Sequence, residues 1–182
     1  KGCLTNGATS TQANGFMGAY MKFSGYDAII FQGIAKRWVY LYMHDGIAEL
    51  RDAKYLMGKN TWETEDAVKK ELGYTEKGMS VFCIGPAGEN LVKFAGIFGD
   101  KDHCAGHNGT GAVMGTKKLK AFCAARGNAS LAVKAPGQLS KIVKTIWDNF
   151  HSEAATGGMN IFKWGTGGSY EGGEQRLKTG TL

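Results

Sequence analysis

WVYLYMHDGIAELR, residues 38 to 51, decides the class of fold. Trp38 to Met43 runs with strand character, His44-Asp45-Gly46 supplies an Asp-Gly turn, and Ile47 to Arg51 alternates apolar and polar residues again, which together predict a β-hairpin. Working outward, Asp27 to Gln32 predicts a preceding strand. A helix is predicted over Trp62 to Leu72, with Asn60 or Thr61 as cap, acids Glu63, Glu65 and Asp66 early, Lys69 and Lys70 late, and Gly73 as stop. Ser80 to Ile84 and Leu91 to Phe98 read as two further strands about the turn Gly85-Pro86-Ala87-Gly88, and Ala121 to Ala124 as a last short one. Pro136 opens an amphipathic helix, because Leu139, Ile142, Val143, Ile146, Trp147 and Phe150 share one face. Helices and hairpins are mixed without βαβ alternation, so the class is α+β.

Composition narrows the function classes. The 182 residues carry 43% hydrophobic side chains and two prolines, which fits a globular domain and excludes a disordered tail. The 28 glycines amount to about 15%, roughly twice ordinary usage. With no G-X-Y period, they serve turns and close backbone approaches. No apolar run reaches membrane-spanning length, and no charged-then-apolar leader opens the sequence. Cys3, Cys83, Cys104 and Cys123 have no zinc or iron–sulfur spacing, which predicts a reduced, cytoplasmic protein. The net charge of +6 is uneven: His103 to Trp147 holds no acid, while Lys117, Lys118, Lys120, Arg126, Lys134, Lys141 and Lys144 give +7. Either an anionic ligand lies near that segment or it is a solvated lysine face.

Two glycine-rich loops are the candidate site. HCAGHNGTGAVMG, residues 103 to 115, places Gly106, Gly109 and Gly111 before a helical start, where main-chain N–H groups could meet a phosphate flanked by His103 and His107. It fails both the dinucleotide fingerprint and the P-loop, so a tight loop packed on a sheet is the other reading. QANGFMG, residues 12 to 18, is the second loop, readable as a simple turn or as the other half of a backbone clamp.

QANGFMGAYMKFSGYDAIIFQG (12 to 33), VYLYMHDGIAELRDA (39 to 53), IGPAGENLVKFAGI (84 to 97) and AGHNGTGAVMGTKKLKA (105 to 121) resemble, in order and spacing, the amino-terminal domain of the tungsten-containing aldehyde ferredoxin oxidoreductase family. The resemblance implies two packed, mainly antiparallel β-sheets over residues 1 to 126, forming a base for a tungsten or molybdenum bis-pterin. Residues 127 to 182 would begin a helical domain. It implies an incomplete chain, cut before Lys1 and after Leu182, with the catalytic residues and the cysteines of a 4Fe-4S cluster beyond Leu182. The cofactor contacts it implies are Gln12, Asn14 and Gly15 in the first loop, and His103, Cys104, Ala105, Gly106, His107, Asn108 and Gly109 in the second. The main-chain carbonyls of Gln12 and Cys104 would hold a magnesium that bridges the pterin phosphates. A metal held by pterin sulfurs needs no protein ligand cluster, which reconciles the scattered cysteines.

Three functional readings stand. One is oxidation of aldehydes to carboxylic acids with electrons leaving through the cluster to ferredoxin or a partner subunit, in an oligomer with no nucleic-acid partner and no membrane span. The second is reduction of an aromatic thioester, as in the benzoyl-coenzyme A reductase-like branch, and the third a cofactor-carrying module without catalysis. Thermophilic members show Arg-Ala-Ala-Gly-Arg where this chain has His103-Cys104-Ala105-Gly106-His107, and glycine where it has Asn14. The grip on the phosphates would then pass to Lys117, Lys118 or Asn108. Cys3, Cys83 and Cys123 are predicted to be buried, His44 solvated and His151 a helix cap. Glu89 and Asn90 are predicted to be turn residues, and Trp38, Tyr40 and Tyr42 to form one face of a strand.

Overall fold

A computed structural model describes residues 6–127 and 131–151. The chain divides into two compact units, residues 1–131 and 132–182. Cys3 and the glycine-rich stretch 157–182 lie outside the described residues.

In the first unit the hairpin forms as predicted. β1 (Val39–His44) pairs antiparallel with β2 (Ile47–Asp52), with His44 opposite Ile47 and positive φ at Asp45 and Gly46. β3 (Met79–Cys83), β4 (Ile97–Gly99), β5 (His103–Ala105) and β6 (Leu119–Ala125) complete one six-stranded sheet in the order β2-β1-β6-β3-β4-β5. β1 and β6 run parallel and the other pairs antiparallel. The α+β class therefore holds, but the described residues form one mixed sheet where the sequence predicts two packed sheets. The near-continuous apolar character of β1, β3 and β6 reflects their central places, with both faces covered.

Two predicted strands are absent or shortened. Residues 27 to 32 form no strand; Ile29 and Phe31 instead pack on the sheet face with Leu41, Met43 and Ala124, a packing that needs no ladder partner. The strand predicted over Leu91 to Phe98 shrinks to β4. Pro86–Glu89 winds into a short helix, α3, and the chain then turns at Leu91, whose φ is +58°.

One face of the sheet is covered by α2 (Thr61–Leu72), whose Val68, together with Leu56 just before the helix, packs on Tyr40, Tyr42, Val81, Cys83 and Cys123. Asn60 and Glu63 form a reciprocal capping box, and Gly73 ends the helix in the left-handed region. The other face receives α1 (Met17–Phe23), pinned where Tyr20 Oη donates to the Lys77 carbonyl at 2.9 Å and Ser24 Oγ to the Ala125 carbonyl at 2.9 Å. α4 (Thr110–Thr116) packs on α3 and leads into β6.

The second unit contains α5 (Pro136–His151), whose six apolar residues from Leu139 to Phe150 are all exposed. His151 lies against the Trp147 ring and its Nδ1 is 2.8 Å from the Trp147 carbonyl, the predicted capping position. Among the described residues, no helix is long and apolar enough to cross a membrane.

Candidate functional site

The two glycine loops meet at the β4–β5 edge of the sheet. The Phe16 N–H donates to Asp100 Oδ2 at 2.7 Å, the His107 N–H to Thr11 Oγ1 at 3.2 Å, and Asn108 Nδ2 to the Ser10 carbonyl at 3.1 Å. Residues 10 to 16 are thus tied at both ends to the segment 100 to 108. Between the ties, Gln12, Ala13 and Asn14 are exposed. Gly15 has φ +100°, and a Cβ there would lie 2.6 Å from Asp100 Oδ2 and 3.0 Å from His103 Cδ2, so glycine is required for both conformation and approach.

The predicted site residues fall into two groups. Gln12, Asn14, Gly15, Cys104, Gly106, His107 and Asn108 are exposed and His103 half-buried, all along the junction of the loops. Ala105 and Gly109 are buried and shape the second loop from behind.

The glycines that follow are packed closely on other main chain. Gly109 faces the Lys93 carbonyl, Gly111 the carbonyls of Ala95 and Gly96, and Gly115 the carbonyl of Gly88, each too closely for a Cβ. The Gly111 N–H itself donates to the Ala95 carbonyl at 2.8 Å. At Gly109 and Gly111 the loop packs tightly on neighbouring main chain.

The acid-free segment is likewise engaged internally. Lys117 Nζ donates to the Gly33 carbonyl at 3.3 Å and Lys118 Nζ to the Lys36 carbonyl at 3.2 Å, on the loop before β1. Lys120 is fully buried and donates to the carbonyls of Ile84 and Lys59 and to the Glu89 carboxylate. Asn108 holds Ser10, so the substitutes expected for the missing arginines already have partners within the chain. Glu89 also accepts the Gly58 N–H, and Asn90 Nδ2 donates to the Pro86 carbonyl, both structural roles. His44 is half-buried, its ring stacked on Tyr42 with centroids 4.4 Å apart.

Asp100 was not legible as a site residue. Gly99-Asp100-Lys101-Asp102 reads as a turn, but its partners, Ser80 and Phe16, are distant in sequence. The strongly perturbed groups lie elsewhere, in the core under α2. Burial, with Glu71 beside it, pushes the Tyr40 phenol up to about 12, and burial pushes the Cys83 thiol up to about 12 and raises Cys123 further. These are buried core groups, not tuned acids or bases. Among the described residues no cluster of three or more His, Cys, Asp or Glu could hold a metal ion.

Fold and site define a class: an α+β domain whose candidate site is a pair of main-chain loops at a sheet edge, with no side-chain metal cluster among the described residues. The family profile described as aldehyde ferredoxin oxidoreductase, N-terminal domain, matches residues 1–126. The tungsten-containing aldehyde ferredoxin oxidoreductase of Pyrococcus furiosus is 41% identical over 166 residues, covering 91% of this chain and 27% of that protein. The aliphatic sulfonate oxidoreductase WOR-like subunit of the same organism is 36% identical, covering 94% of this chain and 28% of its own length. Among solved structures, the active-site complex BamBC of benzoyl coenzyme A reductase with 1,5-dienoyl-CoA superposes with a TM-score of 0.75 at 37% identity, over 81% of this chain and 22% of that one. The chain belongs to the aldehyde ferredoxin oxidoreductase family. It spans about a quarter of the length of the relatives it matches.

The loops fit a phosphate-bearing pterin. Gln12, Asn14, Cys104 and Gly106 are exposed residues, the main chain of Gln12 and Asn14 has no bond within the described residues, and the Gly15 cradle brings the loops into contact. Carbonyl and amide donors of this kind suit magnesium and phosphate oxygens.

Proposed function

We propose that this chain is the cofactor-holding portion of a tungsten or molybdenum bis-pterin oxidoreductase that oxidises aldehydes to carboxylic acids. Electrons would leave through a 4Fe-4S cluster, held by residues outside this chain, to ferredoxin or an iron–sulfur partner subunit, in a cytoplasmic oligomer. Residues 1 to 126 are the cofactor base and 127 to 182 the beginning of a helical domain. The observation that carries the reading is the meeting of the two loops, tied at Phe16–Asp100, Thr11–His107 and Ser10–Asn108.

In this reading the carbonyls of Gln12 and Cys104 would hold a magnesium ion. The exposed loop residues Asn14, Gly15 and Gly106 would line the pterins. His103 and His107 present ring N–H groups to anionic oxygens, in place of a bidentate arginine. Ala105 and Gly109, packed behind, keep the second loop from moving. When bound, the bis-pterin metal supplies the redox chemistry. The chain itself positions that group and walls one side of it from water.

The similarity to the benzoyl coenzyme A reductase complex favours a second reading on the same scaffold, low-potential reduction of an aromatic thioester. Anaerobic purification of the intact native protein with elemental analysis tests both: tungsten or molybdenum should appear with iron and magnesium. Zinc alone would overturn the proposal. Aldehyde-dependent reduction of a viologen, set against turnover of an aromatic acyl-coenzyme A, then separates the two readings.

A further inference from the structure

Asp100 sits in the turn between β4 and β5, and bonds from β3, α2 and the first loop converge on that turn. Asp100 and Lys101 both have positive φ, at 45° and 65°. The Asp100 N–H donates to the Val81 carbonyl at 3.2 Å, and the Asp102 N–H returns to the Asp100 carbonyl at 2.9 Å. From α2, the buried Glu65 carboxylate accepts the Lys101 N–H at 2.9 Å, and Trp62 Nε1 donates to the Lys101 carbonyl at 3.1 Å. Two consecutive left-handed non-glycine residues are costly, and here β3 and α2 together over-determine them.

That frame aims one carboxylate oxygen at the first glycine loop. Asp100 Oδ2 accepts the buried Ser80 hydroxyl at 2.8 Å and the Phe16 N–H at 2.7 Å. Phe16 directly follows Gly15, whose missing side chain is what lets the loop come within reach of Asp100 and His103. The remaining ties, through Thr11 and Ser10, hold the other end of the loop.

We propose that Asp100 is a positioning residue for the candidate site: by accepting the Phe16 N–H from a rigid turn, it fixes the spacing between the main chain of Gln12–Gly15 and that of His103–Gly106. It thereby sets how firmly the pair of loops retains an anionic, phosphate-bearing cofactor. This rests on the reading that these loops hold that cofactor. Asp100 itself need not touch it. A hydrogen bond to a charged acceptor contributes about 1.5–3 kcal/mol, so its loss corresponds to roughly 10–100-fold in retention.

The test uses the intact, anaerobically purified protein and its D100A, D100N, S80A and G15A variants. Two quantities are read: amide hydrogen exchange in residues 12–18, and the rate at which tungsten or molybdenum is lost from the polypeptide during incubation. D100A should speed exchange in 12–18 while β3 and β6 stay protected, and should release metal about 10–100-fold faster. D100N keeps an acceptor oxygen and should recover most of both effects, and S80A should change 12–18 little. G15A disturbs the same contact from the loop side with Asp100 intact, so it decides the matter if D100A does not fold. Unchanged exchange at 12–18 in the folded variants overturns the proposal whether or not the wild type carries the cofactor. Faster exchange with unchanged metal release overturns its retention half. A wild type free of tungsten and molybdenum fails the functional reading and the retention half with it, and the exchange result then judges the positioning half alone.

Discussion

Gly115 and Gly88 bring two short helices together where no side chain fits. A methyl at Gly115 would overlap the Gly88 carbonyl, and one at Gly109 would overlap the Lys93 carbonyl in a backbone already at φ +68°. Overpacking of this kind costs about 1–3 kcal/mol, and the left-handed φ adds to it at 109. G109A and G115A should each lower the midpoint of denaturant unfolding, with G109A the larger loss. A neutral result at both would mean that α4 is free to shift from α3. Lys120 is the second sensitive point. Its ammonium is fully buried and has three acceptors, so K120A leaves the Glu89 carboxylate without its cation and should cost about 3–5 kcal/mol. K120M combined with E89Q should restore a good part of that, measured in the same unfolding experiment. The three described cysteines make a chemical probe. Cys104 is exposed, with its thiol raised above the ordinary value by partial desolvation, whereas Cys83 and Cys123 are buried and raised further. The thiolate is the reactive form, so maleimide should label Cys104 first among them, at a rate that keeps rising with pH beyond the ordinary thiol range. Labelling of Cys83 in the native protein at a comparable rate would contradict the packing under α2.

At the scale of elements, what the sequence could disclose was what neighbours in the chain decide. The hairpin of β1 and β2, the Asn60–Glu63 capping box and the Gly73 stop all follow from residues a few positions apart, and N60A should cost about 1 kcal/mol in thermal or denaturant unfolding. The segments 27 to 32 and 91 to 98 misled for the opposite reason. Ile29 and Phe31 do pack on the core, but Ile30, Leu91 and Phe94 are exposed, and which of these residues join a ladder is settled by strands distant in sequence. The glycines of 103 to 115 were ambiguous on the same ground: whether a bare backbone faces a ligand or another backbone depends on where residues 88 to 96 lie. The loops could be picked out from sequence, but their joint at Asp100 could not, because a turn aspartate carries no mark of the distant N–H it receives.

Across the first unit, burial is uneven. Ile30, Phe94 and Ile34 are 82%, 77% and 70% exposed, an amount of large apolar surface that residues 1–182 on their own would present to water. Expressed as this segment, the chain should bind a dye for exposed apolar surface and self-associate in light scattering. A monodisperse monomer without dye binding would show that these side chains find cover within the segment.

The placement of β6 between β1 and β3 also gives the protein a timetable. A nascent chain emerging from the ribosome completes the β1–β2 hairpin, α2, β3 and β4 while the strand meant to join them is still unmade. Two half-sheets must wait side by side with open edges, an interval in which slow, non-local pairing leaves a chain vulnerable to wrong partners. Only when residues 119 to 125 arrive does the gap close, from both sides at once. The segment written last in this unit is its keystone, and a ribosome that stalls before it leaves not a smaller sheet but two unrelated pieces.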